Sequence, residues 1–118
     1  MSFSILITPQ FEKDIKYYLK KKKYYKIKDD IDKVINELEQ GNLVGNEIPG
    51  LHLKINESVF KVRTVNSSAN VGKSNGFRLI YYVIKNDKEI YLLTIFSKKD
   101  NDNLSNKEIL DIMKKFCL

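Results

Sequence analysis

The stretch Phe77–Ile84, FRLIYYVI, constrains the chain most. Side chains alternate along a strand, so Phe77, Leu79, Tyr81 and Val83 share one face, and Arg78, Ile80, Tyr82 and Ile84 share the other. Both faces are mostly apolar. A strand of that kind is covered on both sides and belongs at the centre of a sheet. Two neighbours present themselves in the sequence. Val59–Val65 precedes it across a polar loop, 66–75, that contains Lys73. Glu89–Phe96 follows it across an Asn86-Asp87 turn and returns antiparallel.

The rest of the chain supplies the cover. Phe3, Ile5 and Ile7 alternate with Ser4, Leu6 and Thr8, which predicts a short strand ended by Pro9. Thr8-Pro9 then opens a helix, with Thr as N-cap and Pro at the first helical position. Phe11, Ile15, Tyr18 and Leu19 give that helix one apolar face, and it runs into Lys20, Lys21, Lys22 and Lys23. A second helix begins near Tyr25, with Ile27, Ile31, Val34, Ile35 and Leu38 at helical spacing. Residues 41–58 carry Gly41, Gly45, Pro49 and Gly50 and read as a loop. Ser105 and Glu108 have the spacing of a capping box, and Ile109, Ile112, Met113 and Phe116 form the stripe of a short last helix. The order β-α-α-β-β-β-α predicts an α+β fold. A four-stranded antiparallel sheet packs on an N-terminal helical hairpin, with a short C-terminal helix, and residues 1–118 form one domain.

Composition narrows the function classes. The net charge of +6 favours phosphate-bearing or acidic partners. Cys117 is the only cysteine, so neither an intramolecular disulfide nor a zinc cluster is expected, and a reducing, cytoplasmic setting is the simplest reading. No charged leader with an apolar run follows Met1, and no apolar run approaches the roughly 18 residues that span a bilayer. No metal site or cofactor is expected. A lone histidine, His52, is more often a surface residue than a catalyst.

The cations of the sheet region are more telling. Lys61 and Arg63 share a face of their strand, Arg78 sits on the neighbouring strand, and Lys98 lies just past the end of the last one. With Lys73 on the loop above, they form a candidate anion-binding cleft. Tyr81 or Tyr82 would offer a surface for stacking a base. The lysine run 20–23 is a solvated helix end or a phosphate-contacting patch. Gly72-Lys73-Ser74 is not a nucleotide-binding phosphate loop. Ser67 stands where that motif needs a glycine, and a strand follows where it needs a helix.

The ordered set K-V-R at 61–63, G-K-S-N-G-F-R-L-I-Y-Y at 72–82, I-Y-L-L-T-I-F-S-K-K-D at 90–100 and N-L-S-N-K-E-I at 103–109 resembles the RelE superfamily of type II toxins. It is most similar to the HigB-like branch. The resemblance implies a metal-independent, ribosome-dependent endoribonuclease that cuts mRNA, halts translation and arrests growth. It also implies a cognate antitoxin, of helix-turn-helix type, as partner. By motif, the family's cleft cations fall on Lys61, Arg63, Arg78 and Lys98 or Lys99. Asn75 departs from the pattern, standing where a second glycine is common. The chain also has no tyrosine after Tyr91, so a tyrosine base near the last helix is not expected. Arg63 and Arg78 are then the phosphate and transition-state clamps, since a guanidinium fork suits both tasks. Lys61, Lys73 and Lys98 are the candidates for base, acid or positioning. Lys20, Lys21, Lys22, Lys23, Lys99 and Tyr82 are candidates for RNA or ribosome contact. Two rivals stay open: a ParE-like inhibitor of DNA gyrase on the same fold, and a non-catalytic RNA-binding protein.

Overall fold

A computed structural model describes residues 2–101 and 103–117. In chain order the elements are β1 (Ser4–Ile7), α1 (Pro9–Lys20), α2 (Ile27–Glu39), β2 (Asn46–Glu47), β3 (Glu57–Thr64), β4 (Phe77–Ile84), β5 (Glu89–Ser97) and α3 (Asn106–Phe116). Two short 3₁₀ turns, Ser67–Ala69 and Lys73–Asn75, lie between β3 and β4. The fold is α+β, but the sheet departs from the four antiparallel strands expected. It has five strands in the order β1-β5-β4-β3-β2, and it is mixed, because β1 runs parallel to β5. The fifth strand is β2, two polar residues inside the stretch that reads as a loop. It pairs through Asn46 with Lys61 and through Glu47 with Phe60. Gly45 makes this approach possible. Its φ is +98°, and a Cβ there would lie 2.5 Å from the Lys61 carbonyl oxygen.

β4 is central, as its two apolar faces require, and Phe77 through Val83 are all buried. Phe77, Leu79, Tyr81 and Val83 face α1 and α2, against Phe11, Tyr18, Ile27, Ile31, Val34 and Leu38. Ile80 and Tyr82 face α3, against Ile109 and Met113. A bulge in β5 sets Tyr81 opposite Leu92 and Ile80 opposite Thr94, leaving Leu93 as the extra residue. Leu92 and Ile95 therefore both meet the helical hairpin, while Leu93 and Phe96 meet α3.

The helix ends behave as their residues dictate. The Thr8 hydroxyl accepts from the Phe11 N–H and donates to the Leu92 carbonyl, so one side chain caps α1 and ties it to β5. The Ser105–Glu108 capping box is formed in both directions. α2 starts at Ile27, two residues later than the spacing suggests, and has no side-chain cap.

β1 covers β5 only from Glu89 to Leu92. Beyond that point side chains of α1 take over the exposed edge. Asp14 accepts from the Ile95 N–H at 3.1 Å and from the Thr94 hydroxyl, and the Tyr18 hydroxyl accepts from the Ser97 N–H at 2.7 Å. Burial pushes the Asp14 carboxyl above its ordinary range, against these hydrogen bonds and nearby Lys13, which pull it down. A carboxyl raised in the folded state contributes stability below its ordinary value and loses it as pH climbs through the folded value. Asp14→Asn keeps an acceptor for Ile95 and Thr94 without the ionisation. The melting temperature of the wild type should therefore fall relative to Asp14→Asn as pH rises from about 3 to about 6. Thermal unfolding of both proteins across that range checks this; a gap that stays constant or moves the other way refutes it.

Candidate nucleic-acid interface

On β3, Phe60 and Val62 point to the helical hairpin, which sends Lys61 and Arg63 to the α3 side. Register places Lys61 opposite Ile80, and Arg63 opposite Arg78. α3 fills the apolar part of this face and leaves its β3 edge open. There a groove of about 370 Å³ is lined by Lys61, Arg63, Asn46, Asn103 and Asn106, and by one carboxylate, Glu47. The Lys61 ammonium donates to the Asn103 side-chain oxygen at 3.3 Å, and the Asn106 amide donates to the Pro49 carbonyl at 3.0 Å. Two cations and three amides thus share one polar recess, an arrangement suited to a phosphate with its attached sugar and base. Arg63 is exposed and Lys61 half-buried, so both remain accessible.

The other expected site residues separate. Arg78 shares the face of Arg63, but it is only 3% exposed. Its guanidinium donates to the carbonyls of Ser74 at 2.8 Å, Gly76 at 3.1 Å and Lys73 at 3.4 Å. It clamps the turn 73–76, and an open phosphate clamp at Arg78 is corrected on that ground. Gly76 is pressed against the Thr64 carbonyl and the Asn66 N–H, with no room for a Cβ. Lys73 begins the second 3₁₀ turn and its side chain is exposed. It lines a neighbouring groove of about 350 Å³, which also takes Arg63 and Lys33. Lys98 reaches the Asn75 side chain at 3.5 Å, and Lys99 is exposed.

Tyr82 is 1% exposed and stacked on Tyr91 at 5.8 Å beneath α3, so it presents no ring to a base. The stacking role expected of it is corrected for that reason. Tyr81 is buried on the opposite face, where its hydroxyl donates to the Val44 carbonyl. Lys20, Lys21, Lys22 and Lys23 stay at the exposed end of α1, and Lys22 pairs with Asp100 at 3.2 Å. That pairing holds the Lys22 ammonium above its ordinary range. His52 lies in a separate recess with Glu57 and Lys85. Burial pushes the Cys117 thiol up to about 11, which disfavours its thiolate form.

The asparagines and Lys33 are the residues that sequence reasoning missed. Asn46 belongs to a strand too short to show alternation, and Asn103 and Asn106 flank a helix start whose direction across the sheet no local pattern reveals. Across Leu104 lies a groove of opposite character. It is about 500 Å³ and takes Asp14, Asp100, Glu108 and Asp111, with Leu104 lining both grooves. Among the described residues no group of three histidine, cysteine, aspartate or glutamate side chains is placed to hold a metal ion. Among them, too, no helix is long and apolar enough to cross a membrane.

Fold and groove together define an α+β protein with a helical hairpin on one face of a mixed sheet and a basic recess at the edge of the other. Compared with models of known protein families and with curated proteins, the sequence matches none.

The geometry separates two arginines that share a face. Arg78→Ala removes a buried charged donor from three carbonyls and should cost about 2–3 kcal/mol. Arg63→Ala removes an exposed side chain and should change stability by no more than about 0.5 kcal/mol. Urea unfolding of the two variants decides it; equal losses would remove the distinction.

Proposed function

We propose that the chain is a RelE-superfamily toxin nearest the HigB-like branch, a metal-independent, ribosome-dependent mRNA endoribonuclease held in check by an antitoxin. The observation that carries this reading is the pairing of Lys61 and Arg63 in one accessible recess walled by asparagines. The motif resemblance supports it, since by motif the same two residues would fall in the family's cleft. RNA cleavage of this type uses the neighbouring 2'-hydroxyl as nucleophile. It needs a proton acceptor, donors for the charge that builds on the phosphorus oxygens, and a proton for the leaving oxygen.

Arg63 is the donor we assign to the phosphorane charge, because its exposed fork can make a bidentate contact. Lys61 is the candidate for moving or steadying the proton. Arg78 acts through the turn it holds, as a positioning residue beside Arg63 on the neighbouring strand. With no tuned histidine or carboxylate named for the base, alignment of the substrate by the ribosome supplies much of the acceleration. Acting on translating ribosomes, the protein would work in the cytoplasm.

The +6 charge and the recess favour the nuclease over the gyrase-inhibiting rival, since a protein-binding inhibitor has no need of convergent phosphate donors. Expression without an antitoxin should arrest growth with new 5' ends inside translated mRNA. Arg63→Ala should reduce cutting by about 10²–10³-fold while the protein stays folded. Growth curves with 5'-end mapping give the answer. Arrest with intact transcripts and damaged DNA would establish the gyrase rival instead, and undiminished cutting by folded Arg63→Ala would withdraw the site.

A further inference from the structure

Arg63 sits on the ridge between two grooves, and only the first has been given a role. The second runs past the end of β2, where the β3 edge is uncovered. Its floor is apolar, made by Val34 of α2, Val44 and Val62, and its rim carries Lys33, Arg63 and Lys73. Glu37 is the acidic member, and its carboxylate is engaged by the Asn42 amide at 2.9 Å. Among the described residues, no ion pair within 4 Å engages Lys33, Arg63 or Lys73. An apolar floor under a cationic rim fits a nucleotide, with sugar and base on the valines and phosphate at the rim.

We propose that this groove is a second nucleotide subsite, which takes the residue of a single-stranded RNA adjacent to the phosphate held at Lys61 and Arg63. The inference rests on the reading of the first groove as an RNA site, and it adds Lys33, on a helix rather than the sheet, as a phosphate contact. Shared use of Arg63 makes the two grooves one continuous path across the β3 edge. The chain then grips at least two consecutive phosphates, and its affinity should grow with RNA length once a strand reaches Lys33. No base edge is read on a valine floor, so the subsite favours length over sequence.

The test uses the whole purified protein and fluorescein-labelled oligouridylates, one a dinucleotide and one several nucleotides longer, with binding read by anisotropy over a range of salt concentrations. On the longer strand, Lys33→Ala should lower the slope of log affinity against log salt by about 0.7, the value for one phosphate contact on single-stranded nucleic acid. Affinity for the dinucleotide should not change. Lys85→Ala, an exposed lysine in the separate His52 recess, should leave both unchanged. A Lys33→Ala slope equal to that of the wild type on the longer strand overturns the subsite, and so does a wild type that binds neither strand. Cutting of mRNA in cells reports separately on the first groove. If Lys33→Ala loses slope as expected while wild-type expression leaves transcripts intact, the subsite stands and the nuclease reading falls.

Discussion

Pairing of β4 on both sides is the constraint from which the rest follows. With β3 and β5 bonded to its two edges and seven consecutive residues buried, β4 has no route to water. Each face must then be covered by something apolar. The helical hairpin covers one and α3 the other, and the stripes of these helices have the length and spacing to do it. α3 is only 11 residues long, so it covers the middle of its face and not the β3 edge. The polar recess is what remains. Its existence is a packing consequence: the strand that carries Lys61 and Arg63 extends past the helix that would otherwise bury them.

That division also explains the two fates of arginine on one face. Arg63 is on the strand whose partner, β2, is too short to shield it, and it stays in water. Arg78 is one strand further in, where a charged group must be met by hydrogen-bond partners. The 3₁₀ turn at 73–75 delivers its carbonyls to that point, and Gly76 lets the turn lie against β3. The buried arginine and the backbone turn are mutually dependent, and the turn is in turn what presents Lys73 to the second groove.

Much of this was legible in the residues. The two apolar faces of Phe77–Ile84 gave its central place, Thr8-Pro9 and Ser105–Glu108 gave two helix starts, and the alternation of β3 put Lys61 and Arg63 together. What stayed hidden depends on partners distant in sequence. Parallel pairing of β1 with β5 is a property of how the hairpin crosses the sheet, and two residues cannot reveal β2 by period. Period also cannot say whether Arg78 or Tyr82 ends in a cleft or beneath a helix, because both lie on a face that is partly covered and partly open. The edge of β5 is a similar case. Asp14 and Tyr18 look like an ordinary polar position and a core position of α1, yet both serve as acceptors for strand N–H groups.

Leu104 is the wall shared by a recess that holds Lys61, Arg63 and Glu47 and a recess that holds four carboxylates. Local charge therefore differs across this wall, although Lys22 pairs with Asp100 on the acidic side and Glu47 lines the basic one. For a polyanion, such a difference would act on orientation before any contact forms, favouring the β3 edge over the Asp14–Asp111 side. Such guidance extends only about 8–10 Å at physiological salt, so it acts only close to the surface.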